Sequence, residues 1–420
     1  VNTDLTNAFW ERLESLEAQI RALLPEPGRR ERLRREAAEL EARFPNPANR
    51  PPLYGKLVGV KDIFRVEGFE TRCGSSLPAE LFAGPEAECV TRLRKAGVLI
   101  LGKTVTTEFA FFEPGPTRNP HNLEHTPGGS SSGSAAAVAA GYCPLALGTQ
   151  TIGSTIRPAA FCGIVGFKPS FGRILTAGVI PFSESVDTVG LFARDVAGIA
   201  SAAAVLCAEW RAGRDRVVAP TSGRPVLGVP AGPFLAQASP EALAVLDSQI
   251  ARLRNAGYTV KPVAALPDMA AIKHRHMQMI AAEMAHAHRE WFAKHESLYR
   301  SRTAALIREG QNVGEAELVA ARASRSALRV QLERLMTQNG IDLWLCPAAT
   351  GPAPKGLDST GDPAMSLPWT HAGMPSIALP AGRAANGLPL GLQCVGRFMD
   401  DERLLAWAAQ TERMLVSTHE

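Results

Sequence analysis

The densest cluster of residues able to do chemistry lies in Gly128–Ser134, where three glycines and four serines fall together. Several chemistries can be tried on it. A phosphate-binding P-loop needs GxxxxGK[ST]. The glycine spacing is present at Gly128 and Gly133, but Ser134 stands where the lysine must be, so the main countercharge is missing. A nucleophile elbow needs GxSxG directly after a strand. Gly129-Ser130-Ser131-Ser132-Gly133 fits the letters, but the preceding Asn119–Pro127 does not read as a strand. The plain alternative is a Gly/Ser loop capping a helix that begins near Ser134. A second turn of small residues, Gly148–Ser154, follows the apolar run Leu145–Leu147. Such a turn can aim successive backbone N–H groups into one concavity, as an oxyanion hole requires. Ser154 at its end is then placed to attack a carbonyl. It needs a base. His121 and His125 are nearest in sequence and have no recognisable triad partner, whereas Lys61 stands beside Asp62 at the end of the apolar run Leu57–Val60. Ser–Lys pairs are an established alternative to Ser–His–Asp. Read this way, the residues point to a serine hydrolase.

At these positions the sequence resembles the amidase signature family. Gly128–Ser134 matches the family's Gly/Ser core, with Ser132 where glycine is usual; Lys61 in Gly59–Asp62 matches its strand-end lysine, and Gly148–Ser154 its Gly/Ser turn. Flanking matches occur at Gly102–Thr104, Glu108–Ala110, Asn119-Pro120, Pro158–Gly163, Gly166–Pro169, Asp187–Gly190 and Gly387–Gln393, so the resemblance runs from about Leu53 to about Leu405. Within the family it looks most like the bacterial malonamidase branch, on Gly148–Thr151, Ile156–Ala159 and Ser359–Pro363. The resemblance implies an α/β amidase-signature fold, a large mixed twisted β-sheet surrounded by α-helices. It also implies a Ser–cisSer–Lys triad with Ser154 as nucleophile, Ser130 as a bridging serine held through a cis peptide, and Lys61 as base. The implied activity is hydrolysis of the C–N bond of a small-molecule amide through an acyl-enzyme, with no metal and no organic cofactor. Two alternatives share the signature: cleavage of a carbamate (urethane) or urea derivative, and service as the catalytic component of a tRNA-dependent amidotransferase, which would need partner subunits. The expected partner is a small amide or carbamate, without nucleic acid or membrane, and a homodimer is the candidate assembly.

Chemistry places conditions on this triad. A lysine acts as base only when neutral, so Lys61 must be buried away from carboxylates. Asp62 must therefore point elsewhere, as adjacent residues of a strand do. The N–H groups of Thr151, Ile152, Gly153 and Ser154 are candidates to hold the oxyanion. Many members of the family carry an Asp in the turn and an Arg two residues past the nucleophile; here Gln150 and Ile156 occupy those positions, so no charge is stranded. An arginine stands instead at Arg157, as in the malonamidase branch, where it meets a substrate carboxylate. Arg157 could grip a carboxylate bidentately, or pair with an Asp or a backbone carbonyl. Ile152 replaces a common glycine, which sets its side chain beside the scissile bond.

The elements that must position these groups read as alternating strands and helices. Strands are expected at Leu57–Val60, Val98–Leu101, Leu145–Leu147, Pro225–Val229, Tyr258–Val260, Leu343–Cys346, Ile377–Leu379 and Leu390–Val395. Helices are expected over Thr3–Phe44 with a break near Pro25 and Pro27, and over Pro85–Ala96, Ser134–Ala140, Val196–Ala208, Pro240–Asn255, Met269–His295, Glu315–Thr337 and Asp401–Met414. Such alternation argues for an α/β sheet. The 37 Gly and 31 Pro of the 420 residues gather around the two serine turns and after Gly351, while Met269–Asn339 holds only Gly310 and Gly314. We expect one domain over residues 1–420, with N-terminal helices in 1–50, the signature core in 53–210 and a helical layer in 269–339. The net charge of +4 is small and its densest run, Arg29–Arg35, is interleaved with glutamates, so a nucleic-acid stripe is not expected. Seven widely spaced cysteines without a CxxC pair, and an N-terminus without an apolar leader, suggest a cytoplasmic protein with buried thiols. His274/His276 and His286/His288 are two apart, so neither pair shares a helix face to chelate metal, and a partly exposed helical surface is expected there. Met269, Met277, Met279, Met284, Trp291 and Phe292 read as helix packing. Phe109, Phe111 and Phe112 read as core or pocket wall, and Trp369 and His371 as further pocket candidates.

Overall fold

The computed structural model describes residues 5–210 and 223–415. Ten strands form one mixed sheet: β1 (Leu57–Lys61), β2 (Leu99–Thr104), β3 (Leu145–Gln150), β4 (Val165–Lys168), β5 (Thr188–Ala193), β6 (Leu227–Ala231), β7 (Val260–Ala264), β8 (Leu343–Pro347), β9 (Ser376–Arg383) and β10 (Pro389–Val395). Their order across the sheet is β2-β1-β3-β5-β4-β9-β10-β8-β6-β7. The two ends are parallel, β1 with β2 and β3, and β6 with β7 and β8. The centre, from β3 through β5, β4, β9 and β10 to β8, is antiparallel. Every residue of β1, β2, β3, β5, β8 and β10 is buried, which is why they read as nearly continuous apolar runs.

The α-helices among the described residues are α1 (Asn7–Ile20), α2 (Arg29–Arg43), α3 (Glu88–Lys95), α4 (Ser132–Ala139), α5 (Ile156–Cys162), α6 (Val196–Leu206), α7 (Pro240–Asn255), α8 (Met269–Ala287), α9 (Arg289–His295), α10 (Ser301–Gly310), α11 (Glu315–Asn339), α12 (Leu367–His371) and α13 (Asp401–Glu412). The expected fold class, a mixed sheet with surrounding helices, is what is found. The expected start of the first helix, Thr3, lies outside the described residues, and the break at Pro25–Pro27 separates α1 from α2. The expected single helix Met269–His295 divides at His288 into α8 and α9, and α8 packs on both α10 and α11.

Two strands and one helix at the centre of the molecule escape a reading by pattern. β4 and β5 are short and contain Gly166 and Gly190, and α5 contains Pro158. Pro158 sits in the first turn of α5, where its missing N–H would have no helical partner in any case. The glycine in β5 lets α5 lie directly on the sheet: a Cβ at Gly190 would sit 2.1 Å from Thr155 Oγ1. All seven cysteines are buried and none forms a disulfide. Among the described residues no helix is long and apolar enough to cross a membrane.

Candidate active site

Lys61 is the last residue of β1 and is fully buried. Its Nζ lies 2.7 Å from Ser130 Oγ and 2.8 Å from Thr149 Oγ1. Asp62 points the other way, pairing with Lys103 at 2.7 Å and accepting the Arg72 N–H at 3.1 Å. Strand alternation thus keeps the adjacent carboxylate off the Lys61 amine, as a basic role for that amine requires. Burial lowers Lys61 to about 7, against the opposing pull of Asp187 and Cys73. Near neutral pH a sizeable share of this amine is therefore unprotonated and able to accept a proton.

The four serines of the Gly/Ser loop have different duties. Ser131 Oγ bonds the Thr149 backbone, Ser132 Oγ the Val105 carbonyl at 3.3 Å, and Ser134 Oγ the Leu147 carbonyl at 2.7 Å. These three bind the loop and α4 to β2 and β3. Ser130 alone faces Lys61, and the peptide bond before it, Gly129–Ser130, is cis. Gly133 N–H donates to Val105 O at 3.0 Å, and a Cβ there would lie 2.1 Å from Ala22 O. Only glycine fits so close to the backbone of Ala22 and Val105.

Gln150 ends β3 and shapes the next turn. Its Oε1 accepts the N–H groups of Thr155 at 2.8 Å and Ile156 at 3.0 Å, which caps the start of α5. Thr151 turns its hydroxyl to Asp187 at 2.6 Å, and the other oxygen of Asp187 accepts the N–H groups of Phe182 and Ser183. Burial pushes Asp187 up to about 6. The backbone carbonyls of Thr151 and Ile152 are held by His276 and Thr370. Among the described residues, none accepts a hydrogen bond from the N–H of Ile152, Gly153 or Ser154.

Ser130, Ile152, Ser154 and Arg157 line one small cavity together with Ala110, Phe111, Phe112 and Thr360. Lys61 reaches it through Ser130. Thr151 and Gly153 belong to the same turn but are not among the cavity residues. Phe109 and Ala110 have φ of 45° and 61°, a left-handed kink that precedes the two wall residues Phe111 and Phe112. Arg157 is 1% exposed; its Nη2 donates to Gly129 O at 2.7 Å and to Thr360 Oγ1 at 3.1 Å, while Nε and Nη1 have no partner among the described residues. Its guanidinium lies 5.8 Å from the centre of the Phe112 ring. Burial lowers Arg157 to about 10, with Asp362 as the opposing charge. An arginine so buried, with two unpaired N–H-bearing nitrogens, is suited to an anion.

Several residues lie elsewhere than expected. His274 and His286 are exposed and His295 is partly so, but His276 and His288 are fully buried, so the expected partly exposed helical surface does not hold at those two. His288 hydrogen-bonds Tyr299 at 3.0 Å and meets Phe109 edge-on, which makes Phe109 core. Trp369 packs on Trp344 and Phe234 in the core rather than in the cavity. Met279 and Met284 are buried helix packing, as expected. Thr149, Thr360, Thr370 and the role of His276 were not legible in advance. Thr149 stands inside the Gly148–Ser154 turn and Thr360 inside the Ser359–Pro363 match, but Thr370 and His276 come from distant segments without such a match.

Known proteins similar to this chain match it along nearly its whole length. The family model described as Amidase matches residues 4–405. The chain is 32% identical over 456 residues to a glutamyl-tRNA(Gln) amidotransferase subunit of Roseiflexus sp. (strain RS-1), covering 96% of this chain and 91% of that protein. Among solved structures it is similar to one described as an amidase, with TM-score 0.87 and 30% identity over 98% of this chain and 96% of that one. It is also similar to native peptide amidase from Stenotrophomonas maltophilia, with TM-score 0.80 and 27% identity over 98% of this chain and 93% of that one.

Proposed function

The chain belongs to the amidase family, and from that premise we propose that it hydrolyses the C–N bond of a small amide through an acyl-enzyme on Ser154. The observation that carries this reading is the 2.7 Å contact of buried Lys61 with Ser130, which shares a cavity with Ser154. In the proposed sequence neutral Lys61 takes a proton from Ser130, and Ser130 takes one from Ser154. The Ser154 oxygen attacks the amide carbon and the N–H groups of the Thr151–Ser154 turn hold the oxyanion. Ser130 returns a proton to the departing nitrogen, and water then cleaves the ester. The unpaired nitrogens of Arg157 support an acyl half that carries a carboxylate, bound as a guanidinium fork binds it.

A second reading has its own support. The similarity to the Roseiflexus amidotransferase protein extends over nearly all of this chain. Glutamine is also an amide whose acyl half carries a carboxylate, so the same cavity serves both readings, and they differ in where the ammonia goes. The test is a hydrolysis screen over an acidic amide, a neutral aryl amide, an aryl carbamate and L-glutamine. Ser154→Ala should abolish turnover of every substrate; substantial residual activity would remove the nucleophile assignment. Arg157→Met should raise KM for acidic amides by about 30-fold or more and spare the neutral amide, since truncating one partner of a buried charge pair costs about 2 kcal/mol or more. An unchanged KM would mean that Arg157 serves the fold alone. Ammonia release from L-glutamine that appears only with added partner proteins would favour the amidotransferase reading.

A further inference from the structure

We infer that the turn Thr151–Ser154 is aimed from behind by two hydrogen-bond relays, Ser324–His371–His276 on the Thr151 carbonyl and Gln150–Thr370 on the Ile152 carbonyl. This rests on the reading of Ser154 as nucleophile. Of the described peptide bonds only Gly129–Ser130 is cis, so those of the turn are trans and planar. In a trans peptide the C=O of one residue and the N–H of the next point in opposite directions. A donor that grips the Thr151 carbonyl therefore fixes the Ile152 N–H, and a donor on the Ile152 carbonyl fixes that of Gly153. His276 Nε2 is 3.1 Å from Thr151 O, and Thr370 Oγ1 is 2.6 Å from Ile152 O. Ile152 lines the cavity with Ser154.

Proton counting gives the first relay a direction. A carbonyl only accepts, so His276 Nε2 must carry a hydrogen. His276 Nδ1 and His371 Nδ1 are 3.2 Å apart, and His371 Nε2 is 2.8 Å from Ser324 Oγ. With both rings neutral, every link is satisfied in one way: Ser324 donates to His371 Nε2, His371 Nδ1–H donates to His276 Nδ1, and His276 Nε2–H donates to Thr151 O. The Ser324 hydroxyl has a rival acceptor, Ala321 O at 2.7 Å, so this chain needs the serine proton turned inward. Burial, together with the charges around the pair, disfavours protonation. It holds His276 at about 3 and His371 at about 4; His371 opposes charge on His276, Arg325 of α11 opposes charge on both rings, and Arg275 of α8 opposes it on His371. The relay thus joins α11, α12 and α8 to the turn as a neutral unit.

The second relay explains why an amide stands at Gln150. Its Nε2 donates to Thr370 Oγ1 at 2.8 Å while its Oε1 caps α5. That leaves the single Thr370 proton free for Ile152 O, with Ser366 O at 3.1 Å as its rival. A carboxylate in place of the amide could only accept, and would draw the Thr370 proton away from the turn.

The test uses the full chain with p-nitroacetanilide as substrate, a fluorophosphonate to titrate reactive Ser154, and phenylboronic acid as a mimic of the tetrahedral oxyanion. His276→Leu, Thr370→Val and Gln150→Glu should each lower kcat by about 10- to 100-fold, somewhat less than removal of an oxyanion donor itself. KM should stay within about threefold. His276→Gln, which keeps a donor near the Nε2 position, and Thr370→Ser should restore most of the rate. Boronate affinity should fall in step with kcat/KM. Wild-type kcat in folded His276→Leu and Thr370→Val would overturn the inference. So would a loss that the conservative variants do not rescue and that leaves boronate affinity unchanged, because that is the mark of a packing role. If His276→Leu fails to fold, the comparison of His276→Asn, whose amide is too short, with His276→Gln decides. Turnover by Ser154→Ala would defeat the underlying nucleophile reading instead, whatever the relay variants do.

Discussion

At the scale of single residues, Lys61 carries the most definite expectation. Burial sets it at about 7, and Lys168 is set at about 7 for the same reason, its Nζ donating to Met374 O at 2.6 Å and Pro169 O at 3.0 Å. Two buried lysines could each give a pH inflection, but only Lys61 contacts Ser130. The kcat/KM profile should rise with pH through about 7 as Lys61 loses its proton. Asp187 and Cys73 pull Lys61 upward and burial pulls it down. Asp187→Asn removes a negative neighbour and should therefore move the rising limb to lower pH, whereas Lys168→Met should leave it in place. A limb that follows Lys168 and ignores Asp187 would put the base elsewhere. Much at this scale was legible in the sequence, because alternation along β1 separates Lys61 from Asp62 without any tertiary knowledge. His276 was not: spacing along a helix shows that neighbouring histidines diverge, but not which of them faces the interior.

At the scale of elements, the positions of the loops depend on backbone approach more than on side-chain chemistry. Gly133 opens α4 where the Ala22 carbonyl and the Val105 N–H already bond each other at 2.9 Å. A Cβ at Gly133 would lie 2.1 Å from that carbonyl and 2.4 Å from that nitrogen. Gly133→Ala must break the bridge between the N-terminal segment and β2 or shift α4, on which Ser130 depends. It should cost about 3 kcal/mol, at the upper end for overpacking. Gly172→Ala is the control, since its φ of +86° meets open space and costs only the left-handed penalty of about 1–2 kcal/mol. Urea midpoints of the two variants give the comparison, and equal losses would show that steric approach at Gly133 is not the cause. The same glycines explain which elements the sequence hid. Strands β4 and β5 carry glycine because α5 rests on them, and that glycine weakens the apolar pattern by which a strand is recognised. The long apolar strands and most of the amphipathic helices, whose patterns are local, stood where expected to within a few residues, whereas α10 was not expected.

At the scale of the molecule, the turn in the first half of the chain is completed by groups from the second. Thr370 reaches Ile152 across 218 positions of sequence, and His276 reaches Thr151 across 125. Helix α5, which starts just after Ser154, packs on β9 and β10, and β4 pairs with β9 in the middle of the sheet. Such partners cannot be read from local pattern, because nothing near either residue encodes the other. Only the family resemblance, which spans both regions, indicated that they belong together. We propose from this interlocking that residues 1–420 behave as one folding unit rather than as a signature core with an appended helical layer. Loss of amidase activity, of helical circular dichroism and of native tryptophan fluorescence should then coincide in one urea transition. Tryptophans on both sides make the fluorescence informative: Trp10 lies on α1, and Trp344 and Trp369 lie in the core beyond β10. Coincidence of independent probes is the criterion for an all-or-none transition, and chains of this length often fail it. An early phase in which helicity of 269–339 and activity are lost while the remaining fluorescence stays native would show that the helical layer melts separately, with His276 leaving the turn as it goes.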